Sequence, residues 1–177
     1  APREDGKICL QIRRVTNGEM SRYWFDEAKK NDLLRLEGPF GSFVLRPVPK
    51  SELVFLATGT GIAPVRAMLE QLAASPTKLS YRQIHVYWGG RTYKDLYWTP
   101  EYPGLSLRFV PVLSRSPHAA VTQGYVQDAV LNDGVNLQNA VVYACGSESM
   151  IASARGKLIA AGLNPKSFYS DAFVSSN

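Results

Sequence analysis

The sequence predicts an α/β fold, a five-stranded parallel sheet with helices on both faces, preceded by a shorter all-β segment. Three observations point there. After residue 50, short apolar runs alternate with stretches of helical spacing, the pattern of strands and crossover helices in a parallel sheet. The first apolar run passes directly into a glycine-rich turn and then into a helical pattern. Before residue 47 the segments are short and alternating, separated by turn residues, which suits strands of a β structure.

In order, Ala1–Gly6 reads as a turn entering a strand already under way. The chain starts with Ala1 rather than Met, and the expectation is that the natural N-terminus lies upstream. Lys7–Val15 alternates as a half-buried strand, which places Cys9 in a core. Thr16-Asn17-Gly18 is a turn. Ser21 caps a short helix through Tyr23, Trp24, Phe25 and Ala28 that ends near Asn31. Leu33–Glu37 and Phe43–Arg46 are further strands on either side of Gly38-Pro39-Phe40-Gly41-Ser42. Pro47-Val48-Pro49 is a stiff linker, because proline fixes its own φ and removes a donor. Two domains follow, 1–47 and 50–177.

Beyond the linker, Leu53–Ala57 is a continuous apolar run, as in a strand covered on both faces. Val65, Met68, Leu69 and Leu72 give Ile62–Ala74 a helical spacing. Ile84–Trp88, Leu107–Leu113, Ala140–Ala144 and Ser167–Ser170 read as the other four strands. Val121–Leu131 and Glu148–Ala161 read as helices, the last stopped by Gly162 and Pro165.

Composition narrows the function classes. No apolar run approaches the ~20 residues needed to span a bilayer, so no membrane span is expected. A net charge of +5 suits phosphate-bearing ligands or an acidic electron carrier as well as an ordinary solvated surface. The basic residues are scattered without interleaved aromatics, which argues against nucleic acid as a partner. Cys9 and Cys145 are far apart and lack metal-ligand spacing. They read as reduced thiols of a cytoplasmic protein. His85 and His118 have no metal-ligand company and read as structural.

The residues richest in chemistry are Ala57-Thr58-Gly59-Thr60-Gly61-Ile62-Ala63-Pro64, between the first strand and the first helix. Glycines there allow backbone to approach a diphosphate, and the free amides of a helix start complement its charge. Pro64 suits a first-turn position. No Gly-Lys-Ser/Thr follows, so this is not the phosphate loop of a phosphoryl-transfer enzyme. A glycine turn without a ligand stays open as the plainer reading.

Further motifs settle the direction. Trp88-Gly89-Gly90-Arg91 follows the second strand and Ser114-Arg115 the third, and Gly124-Tyr125-Val126-Gln127 opens the next helix. Ala144-Cys145-Gly146-Ser147 then precedes Met150, and Asp171-Ala172-Phe173 lies near the C-terminus. These motifs, in this order and over nearly the whole chain, resemble the ferredoxin–NADP reductase superfamily. Upstream, Gly38-Pro39-Phe40-Gly41-Ser42-Phe43 resembles the end of that family's antiparallel β-barrel flavin domain. Tyr87-Trp88-Gly89-Gly90-Arg91 and Ser170-Asp171-Ala172-Phe173 look most like bacterial NAD(P)H–flavin reductases. They look equally like the iron–sulfur flavoproteins that reduce CDP-6-deoxy-glucoseen.

The resemblance implies roles. Thr58, Gly59, Thr60 and Gly61 would cradle the pyrophosphate and nicotinamide ribose. Arg91 would face the adenosine side, unless it is a solvated loop charge. Ser114 and Arg115 match the grip on the 2′-phosphate in NADPH-preferring members, a hydroxyl and guanidinium suited to a dianion. Tyr125 matches an adenine-stacking tyrosine, whereas Gln123 stands where some members carry lysine, so NADH and NADPH both stay open. Cys145, followed by Gly146, matches the cysteine beside nicotinamide C4; on residue type alone it is equally a small core residue. Asp171 and Phe173 match an acidic-x-aromatic ending that supports the active site and packs on flavin, although Val174–Asn177 extend beyond it. Gly18-Glu19-Met20-Ser21 resembles a turn holding flavin phosphate through amides and Ser21, which is compatible with Ser21 as a cap.

The family's Arg-x-Tyr-Ser/Thr flavin motif is absent and would fall just before Ala1. The expectation is therefore that this chain alone binds flavin weakly or not at all. For the intact protein the resemblance implies hydride transfer from NAD(P)H to FAD or FMN. Electrons would then pass to an iron–sulfur domain or protein, free flavin or a partner oxygenase. The alternatives are a regulatory module that binds pyridine nucleotide without redox activity, and a scaffold that only docks partners.

Overall fold

Residues that alternate between two buried faces build the sheet. The computed structural model describes residues 6–38, 40–48, 51–74, 81–119 and 121–173. They divide into two units, Ala1–Ser42 and Phe43–Asn177. In the second, β1 (Glu52–Thr58), β2 (Gln83–Gly90), β3 (Leu107–Leu113), β4 (Thr122–Gln123), β5 (Ala140–Gly146) and β6 (Phe168–Ala172) form one sheet. The order is β4-β3-β2-β1-β5-β6, and every pairing is parallel. On β1, Leu53, Phe55 and Ala57 face α2 (Ile62–Ala74), packing on Val65, Leu69 and Leu72. Val54 and Leu56 point the other way, to α3 (Val126–Asn132) and α4 (Glu148–Ala160), where Val130, Ala154 and Leu158 meet them. Both faces of β1 are thus sealed, which is why its sequence is uniformly apolar.

The order places β1 between β2 and β5. Successive connections run outward on opposite sides of β1, so the carboxyl ends of β1 and β5 flank the reversal point at which open α/β sheets form a crevice. At the opposite ends of the strands, Glu52 Oε2 and His85 Nε2 pair at 3.0 Å. That gives the half-buried His85 a structural partner.

The structure corrects several expectations. The sheet has six strands, not five. Thr122–Gln123 adds a short edge strand on Val112 and Leu113, and the helix expected over Val121–Leu131 is confined to Val126–Asn132. Gly124, at φ +124°, breaks the chain direction between them, a conformation open to glycine but not to a continuing helix. Between β2 and β3 no α-helix forms. A turn at Tyr93–Asp95 and an irregular stretch cover the sheet instead, with Leu96, Trp98, Tyr102 and Leu105 packed on the α2-side core.

The first unit departs further. Neither of its expected strands, Lys7–Val15 and Leu33–Glu37, forms, only an isolated bridge at Ile8, and Phe43–Arg46 at the start of the second unit forms no strand either. Cys9 is exposed rather than core, and Ile8, Leu10, Leu33 and Leu36 are also exposed. Alternation marks a face able to be buried, but a strand needs a neighbour to satisfy its backbone and a layer to cover it. The short helix is α1 (Glu19–Arg22), continuing as a π turn over Tyr23–Glu27. Gly18, not Ser21, is its N-cap. Ser21 lies inside the helix, buried, with its Oγ accepting the Val15 N–H at 2.9 Å. The turn read at Ala1–Asp5, Pro39 and Pro49 of the proline motifs, and the extension Val174–Asn177 lie outside the described residues.

The second unit starts upstream of the prolines. Tyr143 Oη accepts the Arg46 N–H at 2.8 Å, and Tyr81 Oη donates to the Arg46 carbonyl at 2.7 Å. The Arg46 guanidinium lies 4.7 Å from the Tyr169 ring centre, within cation–π range. Phe43 packs edge-on to Tyr143.

Candidate functional site

Two backbone turns interlock at the carboxyl ends of β1 and β5. Gly59 leaves β1 at φ +55° and starts a single 3₁₀ turn, Gly59–Gly61, that runs into α2. Gly61 lies hard against β5, where an added Cβ would sit 2.2 Å from the Cys145 carbonyl oxygen. Gly146 faces the other way. At φ +136°, its added Cβ would lie 2.2 Å from Thr58 Oγ1, which accepts the Ser147 N–H at 3.0 Å. Ser147 in turn caps α4, its Oγ accepting from Met150 N. Glycine stands at each close contact of the two turns, Gly61 against Cys145 and Gly146 against Thr58, beside the start of a 13-residue helix, α2. Such a start complements an anion through its free N–H groups and the helix dipole.

Cys145 is fully buried below these turns. Burial pushes its thiol up to about 12, and the charge of Asp171, its register partner on β6, adds to the rise. A protonated, sealed thiol is no nucleophile. Asp171 is exposed, and Phe173, also exposed, donates its N–H to the Gly146 carbonyl at 2.9 Å. The acidic-x-aromatic ending thus borders the Cys145–Gly146 turn. Native chain treated with a thiol reagent should therefore label at Cys9 alone, with Cys145 labelling only on unfolding. Mass mapping of the adducts checks this, and rapid native labelling at Cys145 would contradict its burial.

Farther along the carboxyl edge, Arg91 and Arg115 come together through backbone. Arg115 N–H and Ser116 N–H both donate to the Arg91 carbonyl at 3.2 Å, and Ser114 N–H donates to Gly90 at 3.0 Å. Both arginine side chains are exposed. Tyr93 and His118 stack across the same two loops, centroids 4.3 Å apart. Tyr125 is 61% exposed as the N-cap residue of α3. Thr58–Gly61, Cys145–Gly146, Asp171 and Phe173 thus cluster at one end of the edge, and Arg91, Ser114, Arg115 and Tyr125 at the other.

Met20 and Ser21 belong to the first unit. Met20 is exposed. Ser21 contributes to a crevice of about 720 Å³ with Arg14, Asn17, Gly18 and Arg22. Arg14 pairs with Asp26 and Arg22 with Glu27, so an anion there would rely on turn amides and the Ser21 hydroxyl proton.

Two supporting residues escaped the sequence reading. Asp95 Oδ2 accepts the N–H groups of Arg91 and Thr92 and the Thr92 hydroxyl. Burial acts to raise its pKa, but these donors and the Arg91 charge hold it below the usual carboxylate value. The Thr92-x-x-Asp95 spacing was the available signal. Trp88 Nε1–H donates to the Gly59 carbonyl at 3.0 Å; nothing in its sequence neighbourhood announces that bond.

Comparison with known proteins accords with this geometry. Residues 55–156 match the family described as oxidoreductase NAD-binding domain. The chain belongs to that oxidoreductase family. Residues 1–45 match its companion, the oxidoreductase FAD-binding domain, and the pair of matches establishes the ferredoxin–NADP reductase superfamily. The CDP-6-deoxy-L-threo-D-glycero-4-hexulose-3-dehydrase reductase of Yersinia pestis is 42% identical over 99% of this chain and 54% of the relative. The terephthalate 1,2-dioxygenase reductase component 1 of Comamonas sp is 32% identical over 99% of this chain and 53% of that protein. Among solved structures, the Amycolatopsis cytochrome P450 reductase GcoB superposes with a TM-score of 0.80 at 29% identity, over 92% of this chain and 50% of that one. A Neisseria gonorrhoeae ferredoxin NADP+ reductase, at 18% identity and TM-score 0.69 over 90% of this chain and 71% of that one, shares the fold. This oxidoreductase chain spans about half the length of the curated relatives it matches. Among the described residues, no helix is long and apolar enough to cross a membrane.

Proposed function

We propose that this chain is the pyridine-nucleotide-binding half of a cytoplasmic NAD(P)H-dependent flavin oxidoreductase. Residues 50–177 are its nucleotide domain and 1–47 the end of its flavin domain. The observation that carries the reading is the pair of interlocked turns at Thr58–Gly61 and Cys145–Ser147, each admitting only glycine at its contact with the other, Gly61 and Gly146, and set at the sheet's reversal point. Their fit to a dinucleotide is steric and electrostatic at once, since the contact leaves backbone amides facing the crevice beside a helix start.

When bound, NAD(P)H supplies a hydride and FAD or FMN takes it up for delivery to an acceptor. The chain's own residues bind and align. Thr58, Gly59, Thr60 and Gly61 hold the diphosphate and nicotinamide ribose. Arg91, Ser114 and Arg115 hold the adenosine end, where Tyr125 offers an exposed ring for stacking. Gly146 gives the nicotinamide end its close backbone approach. Cys145 supports that floor from below as a neutral thiol, Asp171 fixes charge at its border, and Phe173 closes the edge. Met20 and Ser21 serve the flavin phosphate. The acceptor we propose is an iron–sulfur domain or protein; relatives that serve as reductases of a dehydrase and of a dioxygenase support delivery of electrons to a separate partner.

Titrating the chain with NADH and NADPH by calorimetry tests the reading, with binding of at least one expected. FAD added alone should bind weakly or not at all. Arg115→Ala should weaken NADPH about tenfold, the scale of one lost charge-assisted phosphate contact, and leave NADH nearly unchanged. A chain that binds neither nucleotide would refute the proposal, and equal losses for both would remove Arg115 from 2′-phosphate recognition.

A further inference from the structure

We propose that Trp88 is a positioning residue for the nucleotide turn, and that its indole N–H sets the direction of the Thr60 amide. The proposal rests on the nucleotide reading above and names a residue that reading does not use. Trp88 is fully buried near the carboxyl end of β2, where any large apolar side chain would fill the α2-side core. Its N–H does something a phenylalanine could not, reaching across to the neighbouring strand's turn and donating to the Gly59 carbonyl at 3.0 Å.

That carbonyl belongs to the peptide unit joining Gly59 and Thr60. In a planar trans peptide, C=O and N–H point in opposite directions. Fixing the Gly59 oxygen against the indole therefore turns the Thr60 N–H away from it, toward the open side of the turn. Little else holds this unit. Gly59 has no side chain and an added Cβ there would meet nothing within 4 Å. Glycine at φ +55° also rotates more freely than any other residue. The Ile62 N–H at the start of α2 reaches the same carbonyl, but it moves with the turn, whereas Trp88 is fixed to the sheet. The indole is itself held in place: Tyr97 meets it edge-on at 5.0 Å and 88°, and Trp98 lies 6.4 Å away.

Trp88→Phe and Trp98→Phe, each made in the full 177-residue chain, separate positioning from packing. Trp98 touches Trp88, Tyr102 and Arg66 rather than the turn. Both variants should melt earlier than the parent. Only Trp88→Phe should raise the NADH dissociation constant, by about fivefold to tenfold, the scale of one lost hydrogen bond and a loosened peptide. If the parent binds NADH and the two variants bind it equally well, Trp88 is core filling and the proposal is overturned. If the parent binds neither NADH nor NADPH, the nucleotide reading itself fails. Should Trp88→Phe not fold, the indole N–H resonances of the parent decide. Trp24→Phe and Trp98→Phe assign the three signals. The Trp88 signal should move on saturation with NADH, and an unmoved signal overturns the proposal.

Discussion

Gly61→Ala should abolish nucleotide binding and destabilise the chain by about 3 kcal/mol or more, placing it among the most damaging single substitutions. The added methyl would sit 2.2 Å from the Cys145 carbonyl oxygen and 2.6 Å from its carbon. Those are backbone atoms of the inner strand β5, so no side chain can rotate away. Relief requires the turn to lift off β5, which opens the crevice where the diphosphate is proposed to sit. Gly59→Ala is the matched control. It meets open space and bears only the left-handed φ penalty, roughly 1 kcal/mol. Thermal melts and NADH calorimetry on both variants check the ranking. A Gly61→Ala chain melting close to the parent would show that β1 and β5 are not held together here.

Asp133→Ala is the second large effect, at the opposite end of the strands. Tyr87 is fully buried and its Oη donates to Asp133 Oδ2 at 2.9 Å. Arg108 grips the same carboxylate through two bonds of 3.0 and 2.8 Å. Removing the carboxylate leaves a buried hydroxyl without its acceptor and a guanidinium without its partner, costing about 2–4 kcal/mol. Adding Tyr87→Phe should recover part of the loss, because the stranded hydroxyl goes with it.

The same phenol bears on alkaline stability. Burial first, and then the bond to Asp133, push the Tyr87 pKa well above its ordinary 10.0. The Cys145 thiol is raised from 9.0 to about 12. Both groups stay protonated in the folded chain after the unfolded chain has begun to ionise. Their contribution is complete below about pH 9 and is lost as pH rises through the folded values. Chemical denaturation should therefore show a level plateau to about pH 9 and a decline beyond it. Stability that rose above pH 10 would contradict the assigned burial.

The α/β half was legible because its signals are local. The run Leu53–Ala57, the 3.6-residue spacing of Val65, Met68, Leu69 and Leu72, and the stop at Gly162 need only near neighbours. The glycines of the two turns were legible too, since backbone contact leaves glycine where any side chain would clash. Trp88 was not, because its bond joins residues 29 positions apart and its apolar body fits the core unaided. The failure at Lys7–Val15 has the opposite cause. Its pattern is a true strand pattern, but pairing and covering come from other segments, and no periodicity in nine residues can report whether they are there. Gln123 and Tyr125 show a third limit. Helical periodicity ran back through Val121, and only Gly124 marked the break.

The clasp on Arg46 bears on how this half can be moved between proteins. A graft or truncation cut at the proline pair would discard the residue whose backbone is held by buried Tyr143 and half-buried Tyr81. It would strip the Tyr143 hydroxyl of its donor and uncover a ring at the centre of β5. Cut after Ser42, the same module keeps Phe43, Leu45 and Arg46 as a built-in lid over that ring. The transferable unit therefore carries a short tail from its neighbour, and exchange between relatives is least disruptive when the seam lies inside what looks like the preceding domain.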